Sequence, residues 1–332
     1  MKIITCVGYH STGSSLIDDY LREFSCVSQG GPDKECRVLQ DPDGVSDLEY
    51  NLVENPHRLN SGYALKRFRA MMKRYYRNYS AIIGKDYMDL VDDYISKLTD
   101  LEYQGYWHAD VWLQPNWRRY IWYANRVVNR IKPKRFRYSY WHNYFPEINT
   151  LHCNLSEDEF LKITREFVDN LALRVAGGNE KKYVVLDQFV HPNNVDRYLR
   201  YANDMKVIVV DRDPRDIYIN HLLDDDHTLP IEPYAFCRIY RDSRIPTTDH
   251  YDKSRVLLVQ FEDMIYKYDE YTGIVRDFVG IDKKYHKRPK SRYKPEVSIK
   301  NTKLWEKYPE YKDAIDIIVK ELPEYLYDFP GE

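Results

Sequence analysis

Two glycines and four serine or threonine hydroxyls crowd into the eight residues Gly8-Tyr9-His10-Ser11-Thr12-Gly13-Ser14-Ser15. The glycines have the spacing of the phosphate loop G-x-x-x-x-G-K-[ST], with Ser14 in the place of the lysine. Such a segment can turn backbone N–H groups toward an anion, the following helix adds its positive end, and Ser11, Thr12, Ser14 and Ser15 add donors. An ordinary strand-to-helix turn would use the same residues, so the reading needs a second anion-binding element. Asp211-Arg212-Asp213-Pro214-Arg215-Asp216 supplies one, directly after a β-branched run, with Asn220 eight residues beyond Arg212. Arg212 and Asn220 are candidates to grip a second phosphate, and Pro214 suits the first turn of a helix.

These groups need elements to position them. Residues 2–7 are short, apolar and β-branched, and Leu16, Ile17, Tyr20, Leu21 and Phe24 recur at helical spacing, so strand, glycine loop and helix follow in order. Residues 29–47, rich in Gly, Pro and Asp, read as loop. Residues 182–186, 206–211 and 255–260 read as strands buried on both faces, with helices over 157–175, 194–203 and 214–223 between them. This alternation predicts an α/β fold with a central parallel sheet flanked by helices and joined by right-handed crossovers. Arg212 then leaves the carboxyl end of a strand, where ligands bind in such sheets. Residues 60–145 turn helical, aromatic and basic, and read as an insertion suited to binding an acceptor within one domain spanning 1–332.

Composition bounds the partners. Fifty basic and 52 acidic residues leave a net charge of −2, so no long-range field favours nucleic acid. The five cysteines are scattered without C-x-x-C spacing, as expected of reduced thiols in a cytoplasmic protein. No apolar run approaches the roughly 18 residues that would span a bilayer. The 32 tyrosines and six tryptophans offer apolar faces with polar edges, which suits sugar rings, although most such residues pack in cores. Between Trp112 and Trp141 they alternate with Arg118, Arg119, Arg130, Lys134, Arg135 and Arg137, a chemistry able to stack on and neutralise an anionic saccharide. Asp224-Asp225-Asp226-His227 reads as a solvated loop, and no metal is expected.

The first loop and the Arg212-Asp213-Pro214 segment together resemble the PAPS-dependent sulfotransferases, with a likeness to their bacterial and glycan-type members. The resemblance covers roughly 1–24 and 183–305 and leaves out the aromatic insertion. It implies transfer of a sulfuryl group from 3′-phosphoadenosine 5′-phosphosulfate (PAPS) to a hydroxyl, most naturally of a carbohydrate, without a metal. By the same resemblance Gly8, His10, Ser11, Thr12, Gly13, Ser14 and Ser15 hold the 5′-phosphosulfate. Arg212 would hold the 3′-phosphate with Asn220, which stands where the family has serine, and Ser298, Lys300 and Asn301 would close over the nucleotide.

The family has a lysine or arginine two positions before the second glycine, where this chain has Ser11; His10, Lys66, Arg67 and Lys300 are candidate replacements. Two families of base also map here, a carboxylate six residues after Gly13, which is Asp19, and a histidine ahead of the 3′-phosphate arginine, which is His191. Asp187 and Gln188 would orient acceptor hydroxyls. Two other readings remain open. A P-loop kinase or NTPase would need a lysine at position 14 and Asp187 or Asp211 for magnesium, and a catalytically silent glycan-binding protein could use the same fold.

Overall fold

The computed structural model describes residues 1–28, 35–57, 59–105, 107–131, 149–178, 181–224, 228–244 and 251–330. Its strands are β1 (Lys2–Gly8), β2 (Leu101–Gln104), β3 (Asn149–His152), β4 (Tyr183–Val185), β5 (Met205–Asp211) and β6 (Val256–Gln260). The chain divides into two compact units, one formed by Met1–Arg37 with Leu171–Glu332 and the other by Val38–Asn170.

The first unit is built on an all-parallel sheet of order β4-β1-β5-β6, with Ile3 opposite both Val184 and Met205, and Val207 opposite Val256. Residues Ile3 to Val7 of β1 are buried throughout, which is why the strand is continuously apolar rather than alternating. Ile4, Cys6 and Ile208 join Ile17 and Leu21 of the helix after β1, Phe24 just beyond it, and Met264 and Val275 beyond β6, in one core. This is the mixed α/β fold with a central parallel sheet and flanking helices that the segment alternation predicts. The chain passes from β1 to β4 on one side and returns to β5 on the other, so a crevice opens beyond the carboxyl ends of β1 and β5.

The helix after β5 spans Pro214–Leu223, as its proline and spacing predict. The helix after β1 stops at Leu21. Phe24 has left the helix to form a bridge with His286. The helix expected over 194–203 is reduced to Val195–Leu199, preceded by a 3-10 turn over Pro192–Asn194.

In the second unit the helices Asn60–Arg74 and Tyr87–Leu98, with residues 157–170 of the helix Glu157–Val175, bring Phe68, Tyr94 and Phe167 together. Tyr94 stacks on Phe167 at 4.3 Å between centroids and its hydroxyl shares a 2.8 Å hydrogen bond with Thr164 Oγ1. The unit is wider than the 60–145 insertion read from the sequence, and it is not wholly helical, because β2 pairs antiparallel with β3. All four β2 residues are exposed, so no alternation of burial marks the strand, and its partner lies far along the chain. Gly62 lets the first of these helices approach β3, since a Cβ there would stand 2.1 Å from the Leu151 carbonyl oxygen. Lys134, Arg135, Arg137 and Trp141 lie outside the described residues.

The five cysteines are buried and free. Among the described residues, no helix is long and apolar enough to cross a membrane.

Candidate active site

The chain reverses between β1 and the helix Ser15–Leu21 through two residues with left-handed backbone, Ser11 at φ 49° and Gly13 at φ 77°. Only glycine fits the second, because a Cβ there would lie 2.6 Å from the Phe261 ring. Against this loop, at the crevice of the sheet, lies a cleft of about 480 Å³. It gathers Ser11, Gly13, Ser15, Asp19, Arg212, Asn220, Ser298 and Asn301 of the sequence-predicted set, and adds Asp224, Phe261, Arg292, Tyr293, Lys294 and Val297. Three cations and two carboxylates line it, so the local balance favours an anion although the chain as a whole is slightly acidic.

Arg212 is the joint of the cleft. It is 4% exposed; Nη1 donates to the Ser11 carbonyl at 2.9 Å and Nη2 to the Asn301 carbonyl at 2.6 Å. The guanidinium also lies 4.9 Å from the Phe261 ring centroid. Its Nε is buried with no hydrogen-bond partner. Fully buried Asp213, Asp216 and Glu262 surround it. Burial presses the Arg212 pKa down, and Asp216, Glu262 and Asp213 push it back up. Asp216 accepts from the Lys303 and Leu304 amides at 3.1 and 2.6 Å, and the Glu262 Oε1 accepts from the Asp213 amide at 3.0 Å. Burial lifts Asp216 to about 7 and Glu262 to about 8; Arg212 pulls Asp216 partly back, as the Asp213 amide does Glu262.

A second buried carboxylate holds the other end of the C-terminal segment. Glu23 pairs with His286 Nε2 at 2.7 Å and accepts from the amides of Lys290, Arg292 and Tyr293 at 3.1, 2.9 and 3.0 Å. Those bonds bring Arg292 to the cleft, where its Nη1 stands 3.7 Å from Asp19 Oδ1. Asn220 is engaged at the opposite side, donating from Nδ2 to Asp224 Oδ2 at 2.6 Å.

Other sequence-predicted residues have different surroundings. Gly8 ends β1, and His10 Nε2 lies 2.6 Å from Thr228 Oγ1. Thr12 and Ser14 are buried within the loop, and Gln188 Nε2 donates to Ser14 Oγ at 2.9 Å. Asp187 is pushed up to about 7, by burial first and then by the nearby charges of Asp18 and Glu35. His191 caps the 3-10 turn, its Nδ1 accepting from the Asn193 amide at 3.2 Å, and burial together with Arg37 lowers its pKa. Lys300 is exposed, and its carbonyl accepts from Lys307 Nζ at 2.6 Å. None of these residues is among those that line the cleft.

Lys66 and Arg67 belong to the second unit, paired with Asp110 at 2.8 Å and Asp43 at 3.0 Å. Both carboxylate oxygens of Asp211 receive Arg244, at 2.6 and 2.8 Å, which leaves little capacity for a magnesium ion. Asp225, Asp226 and His227 lie outside the described residues. Among the described residues, no group of three or more His, Cys, Asp or Glu side chains could hold a metal ion.

Sequence reasoning missed Glu23, Asp216, Glu262, Arg292 and Lys294. Glu23 did leave a signal, a carboxylate between Leu21 and Phe24 in a helical core pattern. Arg292 and Lys294 sit in a basic stretch whose exposure or burial no local period reveals.

No protein-family model matches the chain, and no curated protein matches it. Solved structures similar to it include a sulfotransferase domain from the Synechococcus PCC 7002 olefin synthase, at 13% identity and a TM-score of 0.44, covering 99% of this chain and 95% of that one. A sulfotransferase domain from the curacin biosynthetic pathway is similar at 12% identity and a TM-score of 0.39, covering 85% and 74%. A sulfotransferase from Alicyclobacillus acidocaldarius is similar at 12% identity and a TM-score of 0.38, covering 96% and 95%.

Proposed function

We propose that the cleft binds PAPS and that the chain transfers its sulfuryl group to a hydroxyl. The observation that carries this reading is Arg212, a buried cation at the carboxyl end of β5 that touches both the Ser11 loop and the Asn301 segment. Its Nε is engaged by no protein group, and a turn of the guanidinium toward the cleft would give that donor to a phosphate oxygen. A volume of about 480 Å³ lies in the range of nucleotide-sized pockets.

In this reading the hydroxyls of Ser11 and Ser15 face the 5′-phosphosulfate, and Arg212, with Asn220 and Ser298, faces the 3′-phosphate. Asn220 would exchange Asp224 for that phosphate. Arg292, with Lys294, takes the place of the cation missing at Ser11, stabilising charge on the departing phosphate oxygen. The acceptor oxygen forms its bond to sulfur as the bond between sulfur and the 5′-phosphate oxygen breaks. Asp19, at the cleft wall, receives the acceptor's proton. His191 is disfavoured as the base because its Nδ1 is spent on the Asn193 amide and it does not line the cleft.

A carbohydrate acceptor draws support from a pocket of about 210 Å³ within the second unit, where Tyr63, Tyr103 and Trp107 surround the Lys66–Asp110 pair. Aromatic faces beside paired charges suit a polyhydroxylated ring.

Transfer from labelled PAPS across a panel of hydroxyl acceptors tests the assignment. Asp19→Asn is expected to slow turnover about 10²- to 10⁴-fold with donor binding retained. Unchanged turnover in that variant, with loss in His191→Ala, would move the base to His191.

A further inference from the structure

The helix Asn116–Ile131 of the second unit carries its apolar side outward. Trp117, Tyr120, Ile121, Val127, Val128 and Ile131 are exposed by 42% to 81%. At roughly 100° per residue they fall within an arc of about 120°. Trp122, on the opposite side, is 7% exposed. Ordinary surface helices turn their apolar stripe inward, so this one is reversed.

By the same angles the charged residues fall on the side of the helix away from the stripe, and they have one sign. Between Val111 and Ile131 the sequence has Arg118, Arg119, Arg126 and Arg130 and no Asp or Glu. We propose that this face docks on an anionic lipid bilayer, with the helix lying in the plane of the interface. Tryptophan and tyrosine prefer the headgroup level, aliphatic side chains the acyl boundary, and arginines the anionic phosphates. Sixteen residues give a helix about 24 Å long, too short to span a hydrocarbon core of about 30 Å. Two such helices brought face to face would also set their arginines near one another with no Asp or Glu between them, which disfavours a second copy of the chain as the occupant. Docking does not depend on the reaction at the cleft.

Co-sedimentation of the full chain with vesicles tests the proposal, comparing phosphatidylcholine alone with phosphatidylcholine containing roughly one-third phosphatidylserine. The chain is expected to bind the anionic vesicles at least about tenfold better at low salt, with the preference shrinking as salt rises. Combining Trp117→Ser, Tyr120→Ser and Ile131→Ser should abolish binding; because these side chains are exposed, the melting curve should not move. Should that variant misfold, Arg126→Glu with Arg130→Glu is the second probe, expected to remove the preference for anionic vesicles. Failure to sediment with either vesicle, or full binding by the variants, overturns the proposal. So does a concentration-dependent dimer that the triple variant dissolves while vesicles are ignored, since the occupant would then be a second copy of the chain.

Discussion

Glu262 has no exposed surface, one carboxylate oxygen without a hydrogen-bond partner, and a pKa of about 8. Its proton is therefore held more tightly in the folded chain than in the unfolded one. The stability this contributes is complete below the ordinary glutamate value of 4.5 and is lost as pH rises through about 8. Asp216, lifted to about 7, acts in the same direction. Denaturant unfolding measured from about pH 5 to about pH 9 should show Glu262→Gln flattening that decline, with a gain of about 1–3 kcal/mol at the alkaline end. A variant as pH-sensitive as the parent would mean that the carboxyl ionises freely in the folded chain. Asp216 and Glu262, with Asp213, also hold the Arg212 pKa up against burial, so the residue read from sequence as a phosphate ligand sits among carboxyl groups that the sequence did not single out.

What positions the cleft is a segment rather than a motif. Residues 290–304 are anchored by Glu23 at one end and by Asp216 and Arg212 at the other. Glu23→Ala would leave three amides without their acceptor; that of buried Tyr293 costs about 1–3 kcal/mol, while those of exposed Lys290 and Arg292 can turn to water. We expect a lower melting temperature, faster hydrogen exchange over residues 286–294 and nucleotide binding weakened at least about tenfold, with Glu23→Gln milder. Unchanged exchange in that segment would contradict the anchoring role.

The loop, β5 and the helix from Pro214 were legible because strand, glycine and proline signals are local in sequence. Of the anchors Arg212 was legible too, but Glu23 meets its partners more than 260 residues away, and its place in a helical core pattern does not say what they are. The β2–β3 ladder escaped for a related reason, its exposed residues lacking the alternation that betrays a half-buried strand.

At the scale of the molecule, two units with separate cores make the five buried thiols reporters of unfolding. Cys153 lies in the second unit, and Cys6, Cys26, Cys36 and Cys237 in the first. Burial raises the pKa of Cys6, Cys26, Cys153 and Cys237, so native labelling should be negligible and denaturant should release all five. Mass spectrometry should resolve Cys153 from the other four wherever the units open at different denaturant concentrations; rapid labelling without denaturant would contradict the buried packing. The cleft proposed to bind PAPS, by contrast, lies wholly in the first unit. Its most direct test is calorimetric binding of adenosine 3′,5′-bisphosphate against AMP, with Arg212→Lys alongside. A PAPS site predicts that the bisphosphate binds at least about tenfold more tightly and that Arg212→Lys erases most of that difference; equal affinity of the parent chain for the two nucleotides would contradict it.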